Sequence, residues 1–311
     1  MKKFCILALF LFSTHFNLLA QNLSISSTGQ TGTSGSNWSI LGNVLTVTGT
    51  ANVRASVIQD HLTNVGPLEV VGNTSSFAVT ISEEITVTHS GNELVFGASG
   101  NTGNFTGNAA ISTNGSISIY GGIVTANQNL TSTASGADIL LQANNNIVLA
   151  ANRTIETNAG DITFRANAGG TAATSTHAIL LNTGTSLLST GGNITLGGNF
   201  DGTEGAGIYA AANVSGGAAG IRIDGSTITA AGGNVSIYGR CVSSYDDGIR
   251  LYGNITTTGT GSIGIYGDAY GGYSSASGAF YGGITLSQAT RTNITAVDGN
   301  VVLRGVLTNS I

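Results

Sequence analysis

The chain has 311 residues, of which 47 are glycine, 41% are hydrophobic and only 8% are charged. The hydrophobic share is large enough to build a core, which excludes a disordered polyelectrolyte. The low charge fits poorly with an ordinary helical or α/β domain, in which roughly 25% of residues are charged. It suits a stacked β architecture, because a charge repeated about every 4.8 Å would repel itself whereas Ser, Thr and Asn stack without that penalty.

The first twenty residues have the pattern of a secretory signal peptide. Lys2 and Lys3 form a positively charged start, and the apolar run 4–12 follows. Because this run is too short to span a bilayer, we predict a signal peptide over 1–20, cleaved after Ala20, and no transmembrane segment in the mature chain. The expected location is secreted or at the cell surface.

The composition of the remaining chain limits its partners. Residues 21–311 hold eight arginines against fifteen acidic residues, which leaves a net charge of −7. Binding of nucleic acid through a basic patch is therefore not expected. Cys241 is the only cysteine left, so no intramolecular disulfide can form. We interpret Cys241 as a small residue beside a corner of the chain; a disulfide between two molecules is the alternative.

Next in chain order come a leader and an irregular first region. Residues 21–36 are polar and glycine-rich, and we expect a polar leader there. Residues 37–110 are predicted to form irregular N-terminal β-helix layers with a cap, in which Trp38 covers the open end of the core. The expected elements of this region are strands at 68–71, 77–81 and 85–88 and a short helix at 53–62.

Residues 111–311 are predicted to form regular β-helix repeats. A glycine, two branched aliphatic residues one position apart and a further glycine recur, as in GGNITLGG (191–198) and GGNVSIYG (232–239). The repeats follow one another at steps of 13 or 14 residues, and a larger unit of about 28 residues holds three aliphatic marks. Strand alternation places both aliphatics on one face, and stacking of parallel strands joins them into one apolar column.

We therefore predict an all-β fold, a right-handed parallel β-helix (β-solenoid). Strands this short at this spacing do not fit a β-sandwich, a propeller or a membrane barrel.

The repeats also resemble a known family. GDITFRA (160–166), GGNITLGG and GGNVSIYG look like the repeats of filamentous haemagglutinin-like large exoproteins and related β-strand-repeat adhesins. The segment 37–58 is similar to the start of such regions in Gram-negative surface proteins. The resemblance covers most of 37–310, and it implies a right-handed parallel β-helix at or beyond the outer membrane. The chain is short for this family and shows no recognisable C-terminal anchoring module, so we expect a truncated C-terminus.

Few residues have the spacing of a catalytic or metal site. The nearest pairs of acids are Asp201 with Glu204 and Asp246 with Asp247, which we interpret as solvated turns and as weak calcium candidates. The histidines lack zinc-binding spacing, and no serine nucleophile motif or phosphate-binding loop is present. The sequence predicts no enzyme activity and no cofactor.

The stronger candidates are aromatic. Tyr238, Tyr252 and Tyr266 follow the second aliphatic of their repeats at steps of 14 residues, which predicts outward-pointing side chains that line up as a ladder. Three further tyrosines lie in the insertion 267–283: Tyr270, Tyr273 and Tyr281. Exposed aromatic residues stack on sugar rings or anchor protein partners, so we regard all six as candidate ligand-binding residues. Stacking of the tyrosines on each other, only to stabilise the coil, is the alternative.

These observations predict a non-enzymatic exported surface protein, an adhesin or stalk. Its β-helix would present a binding face to a glycan or to a surface protein of another cell. One alternative is a polysaccharide-acting β-helix enzyme of the lyase or hydrolase type, with Asp201 or Glu204 as its acids. Another is an ice-binding solenoid, for which Thr46–Thr48 and Thr86–Thr88 offer only scattered instances of the required threonine rows.

Overall fold

The computed structural model describes residues 21–199, 209–214, 218–243, 246–270, 282–286 and 292–308, with the backbone alone for residues 270 and 308. This part of the chain is nearly all β, with one α-helix. The strands form a 16-stranded and a 13-stranded sheet in which almost all neighbours run parallel. Among the described residues, no helix is long and apolar enough to span a membrane.

The elements in chain order are β1 (Asn22–Gln30), β2 (Ser34–Gly35), β3 (Trp38–Leu41), β4 (Val44–Val47), β5 (Thr50–Val53), α1 (Ala55–Asn64), β6 (Leu68–Gly72), β7 (Ala78–Ile81), β8 (Ile85–Thr86), β9 (Leu94–Phe96), β10 (Phe105–Gly107), β11 (Ile111–Thr113), β12 (Ile117–Gly121), β13 (Val124–Ala126), β14 (Leu130–Ser135), β15 (Ile139–Ala143), β16 (Ile147–Leu149), β17 (Thr154–Asn158), β18 (Ile162–Ala166), β19 (His177–Leu181), β20 (Ser186–Ser189), β21 (Ile194–Gly198), β22 (Ala210–Ala212), β23 (Ala219–Ala231), β24 (Val235–Cys241), β25 (Asp247–Thr258), β26 (Ile263–Tyr270), β27 (Ile284–Leu286), β28 (Asn293–Ala296) and β29 (Val301–Thr308).

The chain returns repeatedly to the same sheet. In the 13-stranded sheet β12 pairs with β15, β15 with β18 and β18 with β21, and two strands of the 16-stranded sheet lie between each such pair in sequence. The 28-residue unit with three aliphatic marks is confirmed downstream. Its marks align in three registers: Ile221, Ile249 and Ile284; Ile228, Ile255 and Ile294; Val235, Ile263 and Val301.

The inward side chains form one core. In β24 and β26 the alternating residues Val235, Ile237, Ile263 and Ile265 are at most 1% exposed. They belong to one cluster of buried apolar residues that extends from Leu23 through all the regular repeats. Each strand buries only a few side chains, so the stack depends on contact between neighbouring strands.

The glycine that opens each repeat is required by close approach of the backbone. A Cβ on Gly160 would overlap the carbonyl oxygen of Ala137, and one on Gly192 would overlap the oxygen of Gly160. Buried hydroxyl groups fix the same corner, because Thr157 and Ser189 both donate to the Gly160 carbonyl oxygen, at 2.6 and 2.9 Å. The corner therefore accepts no side chain at this position.

The Asp or Asn that follows this glycine forms a hydrogen-bonded ladder along the sheet. Asp138 Oδ1 accepts the backbone N–H of Asp161 at 2.7 Å, and Asp161 Oδ1 accepts that of Asn193 at 2.7 Å. Asn193 Oδ1 continues the ladder by accepting the N–H of Asn234 at 3.0 Å. The glycine and the Asp or Asn of the sequence motif thus hold successive repeats together.

The N-terminal end differs from the prediction. Residues 21–36, expected to be a leader, contain β1, which lies between β5 and β7 with Leu23 and Ile25 buried. Two buried residues among polar neighbours are too short a pattern to stand out in the sequence. The antiparallel strands β2, β3 and β4 follow, and Trp38 is buried there with its Nε1 donating to Gln30 Oε1 at 2.6 Å.

The other predicted elements of this region are confirmed. Strands β6, β7 and β8 lie at the three expected positions, and α1 occupies the expected helical segment. The helix buries Val57, Ile58 and Leu62 against the core, and Glu83 Oε2 accepts its first backbone N–H, from Ala55, at 2.9 Å. A carboxylate at this position is stabilised by the positive end of the helix dipole.

At the opposite end, β29 pairs with β26 on one side only. Val301 and Leu303 occupy the inward register of the buried Ile263 and Ile265, yet they are 44% and 47% exposed. The apolar core therefore reaches the surface at the last described strand.

Candidate ligand-binding surface

Outward-facing residues next to the second core aliphatic form a row across the 13-stranded sheet, which we call the outer row. The outer row consists of Tyr120, Gln142, Arg165, Gly197, Tyr238, Tyr266 and Arg304. Pairing of Leu196 with Ile237 brings Gly197 next to Tyr238 in this row. The row contains the best-ordered aromatic contacts of the described chain.

Tyr238 and Tyr266 stack face to face. Their ring centroids are 4.9 Å apart and their planes differ by 7°. Tyr209 contacts Tyr238 edge-on, with centroids 6.3 Å apart and planes at 86°. All three side chains are half-buried, so the cluster lies at the surface. The predicted alignment of Tyr238 with Tyr266 is confirmed, whereas Tyr209 was missed because it stands in an irregular segment just before β22.

Tyr252 does not belong to this row, and the prediction that it shares a ladder with the other two is wrong. It is in register with Asp224 in the 16-stranded sheet. A step of 14 residues moves the chain to the other sheet, whereas a step of 28 residues returns it to the same one.

Several candidates fall outside the described residues. Tyr270 is the last residue of β26, and only its backbone is described. Tyr273, Tyr281, Asp201 and Glu204 lie outside the described part of the chain altogether. Their roles stay predictions.

Asp246 has a structural environment. It is buried, its Oδ1 accepts the backbone N–H of Ala218 at 2.7 Å, and its Oδ2 accepts the hydroxyl of Ser243 at 3.1 Å. Cys241 lies beside it, packed against Ala212 and Ala218, and burial raises the pKa of its thiol. The thiol is therefore protonated at neutral pH, in keeping with the interpretation of Cys241 as a small buried residue.

Asp247 is also buried, and it joins two neighbouring strands. Its Oδ2 binds Arg250 Nη2 and Nε at 2.7 and 2.8 Å, and its Oδ1 accepts the hydroxyl of Thr285 at 2.5 Å. Burial alone would lower the pKa of Arg250, but the hydrogen bond and charge of Asp247 raise it. Within the described ranges, no three His, Cys, Asp or Glu side chains are grouped as metal ligands.

A cavity of about 370 Å³ lies at the Tyr120 end of the outer row. Glu69, Glu93, Gly97 and Tyr120 line it. Burial raises the pKa of Tyr120, and the negative charge of Glu93 raises it further. Two carboxylates beside an aromatic ring can bind an amine or another cation. The sequence prediction missed both glutamates, because they stand in different irregular repeats and only the strand register brings them together.

A smaller cavity of about 140 Å³ lies in the middle of the outer row. It opens between Arg165 and Tyr238, where Gly197 contributes no side chain, and Thr163 and Thr195 also line it. We call this cavity the notch. The sequence prediction missed Arg165 and Gly197, since their repeats differ in length from those that contain the tyrosines.

Comparison with known proteins does not identify the chain. No family model matches it, and neither a curated protein nor a solved structure does. The outer row and its two cavities are therefore the basis for assigning a function.

Proposed function

We propose that this chain is an exported, non-enzymatic surface protein that binds carbohydrate on the outer row of a right-handed parallel β-helix. The observation that carries the proposal is the surface cluster of Tyr209, Tyr238 and Tyr266. Parallel pairing at each return of the chain and one continuous apolar cluster support the helical winding. The right hand is the one that parallel strand connections adopt in nearly all proteins.

The location proposed is the cell surface or the medium, as for an adhesin of a Gram-negative bacterium. The positively charged start and the apolar run 4–12 support export. Repeats that resemble those of filamentous haemagglutinin-like exoproteins support the adhesin class.

Carbohydrate is the ligand that the chemistry of the outer row favours. A tyrosine ring offers a flat apolar face to the C–H groups of a sugar and a hydroxyl group for hydrogen bonding. Tyr266 covers one face of Tyr238, and the strand register places Gly197 and the notch on the opposite side. A stack that only stabilises the sheet would have no need of this opening.

The threonines give less support to an ice-binding function. Thr80, Thr106 and Thr125 do align in the 16-stranded sheet, but Val148 takes the next position of that row. A flat ice-binding face needs longer rows than this.

Glycan-array binding of three tyrosine variants of the full-length chain tests the proposal. We expect Tyr238→Ala and Tyr266→Ala to weaken binding about tenfold, near the upper end of what an aromatic contact contributes. Tyr252→Ala is the matched control, because Tyr252 has the same sequence context but lies on the other sheet. It should bind as the parent does.

Thermal melting of each variant separates lost contact from lost folding. If the parent chain binds no glycan, or if folded Tyr238→Ala and Tyr266→Ala bind as the parent does, the proposed function is wrong.

A further inference from the structure

Arg165 differs from its counterparts in the downstream repeats. Arg222, Arg240 and Arg250 form ion pairs with Asp224, Asp268 and Asp247, at 2.8, 3.3 and 2.7 Å. Arg165 is exposed, and within the part of the chain that the structure describes it forms no ion pair. Its positive charge is therefore available to a ligand at the surface.

The notch gives this charge a defined neighbour. Arg165 is in register with Gly197, and Gly197 stands next to Tyr238, so the guanidinium and the tyrosine ring lie on opposite sides of a position that has no side chain. The hydroxyl-bearing residues Thr163 and Thr195 line the same cavity. A cation, an aromatic ring and two hydroxyl groups thus surround a space of about 140 Å³.

We propose that the notch binds a carboxylate-bearing sugar, as found in uronic acid polymers. The guanidinium of Arg165 pairs with the carboxylate, for which its planar set of N–H donors is suited. Tyr238 packs against the apolar face of the sugar ring, and the two threonines bind its hydroxyl groups. This inference rests on the proposed function and assigns a charge class to its ligand.

The charge of the whole chain gives this recognition a further property. Residues 21–311 have a net charge of −7, so an anionic glycan is not attracted over long distances. Selectivity must then come from the contact at the notch. A contact this close to the surface is screened by salt, so the preference for the acid should fall as ionic strength rises.

The test compares an oligogalacturonate with its methyl ester, two probes of the same shape that differ in charge. Calorimetry on the full-length chain should show at least about fivefold tighter binding of the acid, the value of one charge-assisted contact of roughly 1 kcal/mol. Arg165→Gln should lose this preference and bind both probes like the ester. Arg54→Gln, which removes an exposed arginine outside the outer row, should keep it.

Each other outcome overturns a specific claim. Equal binding of both probes by the parent, or an acid preference that persists in Arg165→Gln, refutes the charge assignment and leaves the proposed function intact. Absence of binding to these probes and to every glycan on the array refutes the proposed function as well. Melting curves establish that Arg165→Gln is folded. Gly197→Val, which fills the notch without a change of charge, should weaken binding of both probes.

Discussion

Single buried residues determine how this chain responds to acid. His177 is 7% exposed, and its Nδ1 accepts the backbone N–H of Ala219 at 3.2 Å. Burial lowers its pKa to about 4, and the positive charges of Arg222 and Arg250 act in the same direction while Asp224 opposes them. The imidazole is therefore neutral in the folded chain at neutral pH.

Stability should decrease with acid because of His177. Between pH 6.5 and about 4 the unfolded chain binds a proton that the folded chain does not, so the free energy of unfolding falls as the pH falls. The full loss is on the order of 3 kcal/mol, and above pH 6.5 the contribution is complete. His177→Asn keeps a hydrogen-bond acceptor but cannot titrate, so its unfolding energy should fall less over this range. Urea unfolding of both proteins at pH 7, 5 and 4 measures the difference, and parallel curves would contradict the assignment.

The tyrosines show what the sequence can and cannot predict at this scale. Tyr238 and Tyr266 were predictable as neighbours because they stand one regular unit apart. The same spacing rule misplaced Tyr252, since half a unit leads to the other sheet. Arg165 and Gly197 were not predictable as neighbours of Tyr238, because the intervening repeats carry long insertions at their corners.

At the scale of the elements, the hydrogen-bonded ladder explains why a loose sequence motif gives a regular structure. Repeats of the 13-stranded sheet begin 22 residues apart at Ile117 and Ile139 but 41 residues apart at Ile194 and Val235. The register is nevertheless kept, because each Asp or Asn side chain accepts the next backbone N–H of the ladder. Variation in length is thus confined to the corners between strands.

Substitution of Asp161 tests the ladder. Asp161→Ala removes the acceptor for the backbone and side-chain N–H groups of Asn193 and should lower the free energy of unfolding by about 1 kcal/mol. Asp161→Asn keeps the acceptor and removes a like charge next to Asp138, so it should be as stable as the parent or slightly more stable. Urea denaturation measures both changes. Equal losses in the two variants would show that charge, and not the hydrogen bond, matters at this position.

At the scale of the whole molecule, one apolar column determines stability, and its end is weaker than its middle. Ile237 is fully buried and Leu303 is 47% exposed, although both are in register with Ile265. Three aliphatic marks per unit were enough to predict this column. The exposure at β29 was not predictable, because a repeat has the same sequence pattern whether or not a neighbour covers it.

This difference gives a matched pair of variants. Ile237→Ala should destabilise the chain by about 2–5 kcal/mol, since it leaves a cavity in a closely packed core. Leu303→Ala, in the same register, should cost less than about 1 kcal/mol because its side chain is already half-exposed. Chemical unfolding monitored by far-UV circular dichroism measures both. Equal losses would mean that β29 is covered in solution.

The position of β1 has a consequence for the time order of assembly. This strand comes first in the sequence but lies between β5 and β7, which belong to two later passes of the chain. A polypeptide that crosses a membrane with its N-terminus leading would expose residues 22–30 while both of their partners were still on the other side. Secretion and folding of this molecule therefore cannot advance together from the first residue onward: its opening segment waits, unpaired, until residues 78–81 have followed it across.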